Sequence, residues 1–135
     1  MRVAPAANAL KREIMNAPSA VSRPLPAEVR RAYVAPYDTP ANRLATLRFV
    51  QDIPLGPGDR GYDLVRETGT RLHVLEDRPA LICWGLRDFV FDETFLREFR
   101  HAVPRADVHA WDDAGHYVLE DARERVVPLV QRFLA

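Results

Sequence analysis

The sequence predicts an α/β protein in which a parallel sheet with flanking helices follows a helical segment. An apolar run over 79–84 and an alternating segment over 106–111 have the length of strands, and each is followed by apolar residues at helical spacing. The order strand, helix, strand, helix at this spacing is typical of a parallel sheet with right-handed crossovers. The change in pattern divides the chain into a helical segment, 1–78, and a strand-containing segment, 79–135.

The segment 1–78 is predicted to contain helices and loops but no strand. Thr39 and Pro40 suit the N-cap and the first position of a helix, because the hydroxyl can accept an amide hydrogen bond and proline needs no donor there. Gly69 weakens the last of these helices, since glycine loses more backbone entropy than other residues. The predicted helices span 26–34, 40–50 and 62–76.

The segment 79–135 alternates between strands and helices. The run PALICW is continuously apolar, which predicts a parallel strand that is buried on both faces. The second strand alternates in polarity and is expected at a sheet edge. Asp92 is a suitable N-cap, whereas Pro128 predicts a kink or a break in the last helix. The predicted helices of this segment span 92–102 and 121–134.

Composition excludes several classes of function. The chain has 135 residues, 47% of them hydrophobic, and its 19 basic residues balance 19 acidic ones, which argues against a nucleic-acid partner. No apolar run approaches the roughly 20 residues of a membrane span, and the N-terminus lacks the apolar core of a secretory signal. Arginine dominates the basic residues, as in GC-rich bacterial genomes, so a bacterial protein is expected. Because a secretory signal and a disulfide framework are both missing from the sequence, a cytoplasmic location is also expected. Cys83 is the only cysteine, and no Cys/His cluster has the spacing of a metal site.

Asp88 and His116 are the candidate catalytic residues. Each lies in a loop directly after a predicted strand, and open α/β sheets place their ligands at the carboxyl ends of strands. The intervening helix and strand return the chain to the same sheet edge, so Asp88 can accept the Nδ1 proton of His116. Such an acid fixes the tautomer of the histidine and stabilises the imidazolium formed in turnover. The sequence therefore predicts an acid–histidine pair.

Each of these residues also has a plain structural interpretation. An aspartate in such a loop commonly caps a turn, and a Gly-His sequence commonly places the histidine in a solvated loop. The pair is favoured because both residues follow consecutive strands in this order. Trp84 is predicted to pack in the core or at the sheet edge, close enough to Asp88 to reach a pocket. The remaining histidines are predicted to be solvated: His73, His101 and His109.

The segment 78–135 resembles the C-terminal end of the α/β-hydrolase superfamily. There, one strand is followed by WGxxD and the next by AGHxxxxE, and this chain has WGLRD and AGHYVLED. Within the superfamily it resembles the haloalkane-dehalogenase-like branch, and most closely the OleB-type β-lactone decarboxylases of long-chain olefin biosynthesis. The cap pattern of those enzymes, YxAPYDxxxNRxxxxRFVQDIP, and their acid-loop pattern, LICWGxRDFxF, both occur here.

The resemblance implies the C-terminal part of an α/β-hydrolase fold preceded by a helical cap. Residues 1–78 would form the cap, and residues 79–135 the last two strand–helix units of the core. It also implies that Asp88 is the acid and His116 the general base of a catalytic triad. No cofactor is implied.

The nucleophile of such a triad lies on a tight strand-to-helix elbow before the cap. The sequence Gly58-Asp59-Arg60-Gly61 has a similar spacing but no apolar strand before it, and Ser19 and Ser22 lie in a proline-rich segment. The chain is therefore expected to be inactive alone.

The implied activity is the conversion of a cis-β-lactone, a small hydrophobic substrate, into an alkene and CO2. Haloalkane dehalogenation and ester or epoxide hydrolysis remain alternatives, as does a catalytically inert truncated or split product. The expected protein partners are the missing N-terminal half or other enzymes of olefin biosynthesis.

Overall fold

The computed structural model describes residues 21–135, which divide into two compact units. The first unit comprises residues 25–69, and the second comprises residues 21–24 together with residues 70–135. Two expectations fall outside the described residues: the missing secretory signal and the rejection of Ser19 as a nucleophile. Within residues 21–135, no helix has the length and apolar character needed to cross a bilayer.

The first unit is helical, as predicted, but its second helix begins later than expected. Thr39 Oγ1 accepts the Asn42 amide at 3.2 Å, and the Arg43 guanidinium donates to two preceding carbonyl oxygens, each at 3.0 Å. These bonds hold residues 40–43 as a turn, so the prediction of a helix start at Pro40 is wrong. The three helices are α1 (Ala27–Val34), α2 (Leu44–Gln51) and α3 (Tyr62–Thr70).

Helix α3 ends earlier than predicted. It stops at Thr70, and the backbone then continues as a 3₁₀ helix over Leu72–Leu75, so the prediction of one α-helix to residue 76 is wrong. The Thr68 hydroxyl donates to the Leu64 carbonyl at 2.8 Å, and Gly69 follows directly. A side-chain bond to the backbone and a glycine both weaken the last α-helical turn.

The second unit contains the parallel sheet. Strands β1 (Leu81–Gly85) and β2 (Asp107–Trp111) pair in parallel, from Leu81 opposite Asp107 to Gly85 opposite Trp111. This confirms the α/β class and the parallel pairing. The prediction of a fully buried first strand is wrong, because only Gly85 of β1 is buried. Within the described residues β2 is the one strand that pairs with β1, so part of its surface stays open.

Three helices flank this sheet. α4 (Glu93–Ala102) begins as predicted, with Asp92 accepting the Thr94 amide at 2.8 Å. The last predicted helix, 121–134, is observed as α6 (Arg123–Leu134), and a separate short helix, α5 (Val118–Asp121), precedes it.

Helix α6 continues through Pro128, so of the predicted kink or break the break is wrong, while the kink stays a prediction. Ala122, whose backbone leaves the helical region, separates α5 from α6. Pro128 and Glu124 are both exposed, so water can bind the carbonyl that lacks its helical donor.

The core of the second unit is small and lies where the sheet meets the C-terminal helices. The buried cluster there consists of Ala114, Ala122 and Val126, while Leu96 and Val103 are buried outside this cluster. Three partly buried residues pack against the cluster: Cys83, Trp111 and Val118. Because Ala114 lies two residues before His116, this core supports the loop that carries the candidate histidine.

Candidate active site

The candidate residues lie in two loops at the carboxyl ends of the strands. The acid loop, residues 86–92, carries Asp88, and the histidine loop, residues 112–117, carries His116. The Nδ1 atom of His116 lies 3.0 Å from Oδ1 and 2.9 Å from Oδ2 of Asp88. The Asp88 side chain is 10% exposed and that of His116 is 30% exposed. The structure thus brings the two candidates together, while their catalytic role stays a prediction.

This contact determines which nitrogen of the imidazole can act as a base. A carboxylate only accepts hydrogen bonds, so the neutral His116 ring carries its proton on Nδ1 and donates it to Asp88. The Nε2 atom then has a free lone pair. Within residues 21–135 it makes no hydrogen bond, and it is available to a substrate or to water.

Backbone amides fix the orientation of Asp88. Its Oδ1 atom accepts the amides of Val90 at 2.8 Å and Phe91 at 3.0 Å, and its own amide donates to the Gly85 carbonyl at 3.2 Å. Asp88 therefore caps its own loop and also contacts His116. One carboxylate has enough lone pairs to cap the loop and to accept from His116, so the structural interpretation of Asp88 does not exclude the functional one.

The two loops are joined through their backbones. The Arg87 amide donates to the Ala114 carbonyl at 2.9 Å, and the Leu86 amide donates to the Trp111 carbonyl at 2.8 Å. Backbone hydrogen bonds therefore tie the acid loop to the histidine loop and to the end of β2 that leads into it.

Aromatic rings surround the imidazole. The ring centroids of Phe89, Phe91 and Tyr117 lie 5.9, 5.8 and 5.5 Å from that of His116. The Trp84 indole donates to the Phe91 carbonyl at 3.1 Å and so reaches the acid loop. Sequence reasoning did not single out these phenylalanines, although their positions one and three residues after the acid were a usable signal. The surroundings of His116 are therefore apolar.

One buried residue near the site also went unnoticed in the sequence. Asp121 is 5% exposed, and its Oδ2 atom accepts the Gly115 amide at 2.8 Å. The sequence reading placed Asp121 at the start of a helix, where an exposed acid is common. Its contact with the histidine loop follows only from the folded structure.

The other histidines lie elsewhere. His73 and His101 are exposed, as predicted, whereas the side chain of His109 is 34% exposed, so the prediction of a solvated His109 holds only in part. His109 stacks on Trp111 with the ring centroids 6.3 Å apart, and its Nε2 atom is buried, 3.1 Å from Asp107 Oδ1 but without a hydrogen bond.

Neither Cys83 nor the metal-ligating side chains of the described residues form a reactive centre of their own. Burial raises the pKa of the Cys83 thiol above its usual 9.0, and the negative charge of Asp107 raises it further, so this thiol stays protonated at neutral pH. Residues 21–135 contain no cluster of three metal-ligating side chains.

Two curated proteins are similar to this chain, whereas no family model matches it. The cis-3-alkyl-4-alkyloxetan-2-one decarboxylase of Xanthomonas campestris pv. campestris is 56% identical over 114 residues. The protein of the same name from Shewanella oneidensis is 51% identical over 112 residues. The alignments cover 84% and 83% of this chain but only 38% and 35% of the relatives, so the chain spans little more than a third of their length. Since an oxetan-2-one is a β-lactone, the predicted resemblance to β-lactone decarboxylases is confirmed.

Proposed function

We propose that this chain contributes the acid–histidine pair of a β-lactone decarboxylase site. Asp88 orients His116 and stabilises its imidazolium, and His116 Nε2 exchanges protons at the reacting centre. The observation that carries the proposal is the contact of Nδ1 with both oxygens of a carboxylate that two backbone amides hold in place. The name shared by the two relatives supports the choice of reaction.

The proposed reaction conserves atoms and electrons without a co-reactant. The bond between the ring oxygen and C4 breaks, as does the bond between the carbonyl carbon and C3, and a double bond forms between C3 and C4. The lactone carbonyl and ring oxygen leave as CO2. In the proposal a carboxylate nucleophile attacks C4 and forms a covalent ester, while the bond from C4 to the ring oxygen breaks and leaves a carboxylate on C3. Loss of this carboxylate as CO2 then forms the double bond and expels the nucleophile, and His116 Nε2 exchanges a proton with the carboxylates that are formed and released.

The apolar surroundings of His116 fit a substrate with alkyl groups. The rings of Phe89 and Phe91 flank the imidazole, and their side chains remain 60% and 44% exposed. Aromatic surface of this kind gains free energy when it is covered by hydrocarbon. A dialkyl β-lactone would present such hydrocarbon next to the reacting ring.

The nucleophile is proposed to come from a segment other than residues 21–135, because no side chain there hydrogen-bonds to His116 Nε2. The greater length of the relatives supports this. The nucleophile would come from a longer polypeptide that contains this chain, or from a partner protein such as an olefin-biosynthesis enzyme. The proposal includes the division into a helical cap segment, 1–78, and the end of an α/β-hydrolase core, 79–135.

A chimera tests the proposal. This chain would replace the aligned region of the Xanthomonas relative, and the purified chimera and the 135-residue chain would each be given a cis-3,4-dialkyloxetan-2-one. We expect alkene, measured by gas chromatography, from the chimera and none from the chain alone. His116→Ala should abolish alkene formation, whereas the control His101→Ala, at an exposed histidine away from the pair, should retain it.

Each other outcome counts against a defined part of the proposal. Alkene formation that survives His116→Ala overturns the assignment of the base. Halide release from a haloalkane, or ester or epoxide hydrolysis, in the absence of alkene would favour the alternative activities. A folded chimera that is inactive on all these substrates would favour a catalytically inert chain.

A further inference from the structure

The carboxylate of Asp121 holds the loop that carries His116. Asp121 is 5% exposed and is the only buried charged residue within the described part of the chain. Its Oδ2 atom accepts the amide of Gly115 at 2.8 Å. Gly115 directly precedes His116, so this bond fixes the backbone from which the imidazole projects.

The same carboxylate is anchored on its other side by a distant part of the sequence. The Ser22 amide donates to Oδ1 at 3.0 Å and to Oδ2 at 2.9 Å of Asp121. The Arg23 guanidinium donates to the Asp121 backbone carbonyl at 2.9 Å. Asp121 therefore connects residues 22–23 to the histidine loop, although Ser22 and Asp121 lie 99 positions apart in the sequence.

A buried carboxylate is costly unless hydrogen-bond donors surround it. Here the donors are backbone amides, whose positions follow the course of the chain and not the rotamer of a flexible side chain. The contact between His116 Nδ1 and Asp88 spans 2.9–3.0 Å, and a hydrogen bond is lost when its length grows by much less than an ångström. The position of Gly115 must therefore be fixed closely for the pair to form.

We propose that Asp121 is a positioning residue for His116. It holds the Gly115 amide, and through that amide it sets the distance between His116 and Asp88. Residues 22–23 belong to this support because they bind the same aspartate. The geometric role stands by itself, and its importance for catalysis rests on the proposed decarboxylase function.

The experiment is nitrogen-15 NMR of the 135-residue chain without any substrate. Ring nitrogen shifts report the tautomer of His116, and hydrogen exchange reports the protection of the Gly115 amide. Asp121→Asn removes the charge and replaces one carboxylate oxygen by a donor, which faces the Ser22 amide in either orientation of the side chain and the Gly115 amide in one of them. We expect exchange of the Gly115 amide to become about tenfold faster and the His116 ring to lose its single Nδ1-protonated form.

Two control variants remove neighbouring polar groups and leave the amide contacts in place. Ser22→Ala deletes the hydroxyl and keeps the amide that Asp121 binds. Glu124→Gln removes an exposed carboxylate that lies 3.7 Å from the Arg23 guanidinium. Both should leave the His116 spectrum and the exchange of the Gly115 amide unchanged. Asp121→Glu retains the negative charge and should restore part of the parent spectrum.

Asp121→Asn that alters thermal unfolding but leaves the His116 tautomer intact would overturn the proposal. If Asp121→Asn does not fold, Arg23→Ala is the second test of the proposal. The Arg23 side chain is 62% exposed, and its loss removes only the hydrogen bond to the Asp121 carbonyl oxygen. Faster exchange of the Gly115 amide in Arg23→Ala supports the proposal, and unchanged exchange overturns it. Since no substrate is used, an inactive chimera would refute the decarboxylase function and leave this result standing.

Discussion

The backbone of Gly85, at the end of β1, lies directly against the carbonyl oxygen of Gly115 in the histidine loop. A Cβ atom at position 85 would collide with that oxygen and would lie 2.7 Å from the Ala114 carbonyl oxygen. Both neighbours are backbone atoms, so neither can turn away as a side chain can. The absence of a side chain at Gly85 thus allows the acid and histidine loops to meet.

Gly85→Ala is expected to separate the two loops and to destabilise the second unit by about 1–3 kcal/mol, the usual cost of overpacking. Urea unfolding gives the stability, and the His116 ring shifts report loss of the Asp88 contact. Gly69→Ala is the matched control, because a Cβ there meets nothing within 4 Å. It lies in a helix and should be neutral or stabilising by up to about 1 kcal/mol. Equal effects of the two variants would contradict this account.

Asp88→Asn is expected to invert the His116 tautomer. An amide that keeps its oxygen on the Val90 and Phe91 amides presents an NH2 group to the ring, which then must accept through Nδ1 and carry its proton on Nε2. In an active chimera this change should lower kcat by roughly 10⁴-fold. The ring nitrogen shifts measure the tautomer directly.

The control for that variant is Asp92→Asn, which changes the neighbouring helix cap. Asparagine is nearly as good an N-cap as aspartate, so both the stability and the His116 tautomer should stay unchanged. A shifted tautomer in the control would mean that the ring responds to charge in the acid loop generally.

Val126→Ala is expected to destabilise the second unit by about 2 kcal/mol, because it removes two methyl groups from a small core. Val126 is 3% exposed and belongs to the cluster that contains Ala114. The next residue of the same helix, Val127, is 39% exposed, and Val127→Ala should change the free energy of unfolding by less than about 0.5 kcal/mol. Similar losses in the two variants would show that the cluster is not the core.

Asp113→Asn is expected to lower the urea midpoint slightly at neutral pH and not at all in strong acid. The hydrogen bond from Arg125, at 2.8 Å, holds the pKa of Asp113 below its usual 3.8 in the folded chain. The ionised carboxylate therefore stabilises the fold above the unfolded pKa, and this contribution is lost as the pH falls through the lower folded pKa. Because both side chains are well exposed, the effect should be small and weaken with salt.

Unfolding at several pH values, with Asp112→Asn as the control, measures the effect of Asp113. Asp112 is the exposed neighbour that lacks the Arg125 bond, so its variant should leave the urea midpoint at neutral pH close to that of the parent. A difference between Asp113→Asn and the parent that persists in strong acid would assign the effect to something other than this charge.

The parts of the fold that the sequence predicted are those with local causes. The apolar run before Gly85, the Asp92 cap and the strand ends that carry Asp88 and His116 all follow from residues within a few positions of one another. Those strand ends sufficed to place the two candidates at one edge.

The failures come from competing or long-range contacts. Thr39 and Arg43 form side-chain bonds that replace a helical turn, and Pro128 is tolerated because its surroundings are open to water. The burial of Asp121 depends on residues 99 positions away, and no local pattern reveals a contact at that separation. Strand β1 is less buried than its apolar sequence suggests, because only one strand pairs with it within the described residues.

The two tryptophans of the chain give each loop its own optical signal. The Trp84 indole is hydrogen-bonded to the acid loop at Phe91, whereas Trp111 ends the strand before the histidine loop and lies under the Arg125 guanidinium, 5.1 Å from its ring centroid. Emission from Trp84 therefore reports polarity at the acid side, and emission from Trp111 responds to charge at the histidine side. Variants that retain only one of the two tryptophans would therefore allow the coupling between the two loops to be measured by fluorescence, without any substrate.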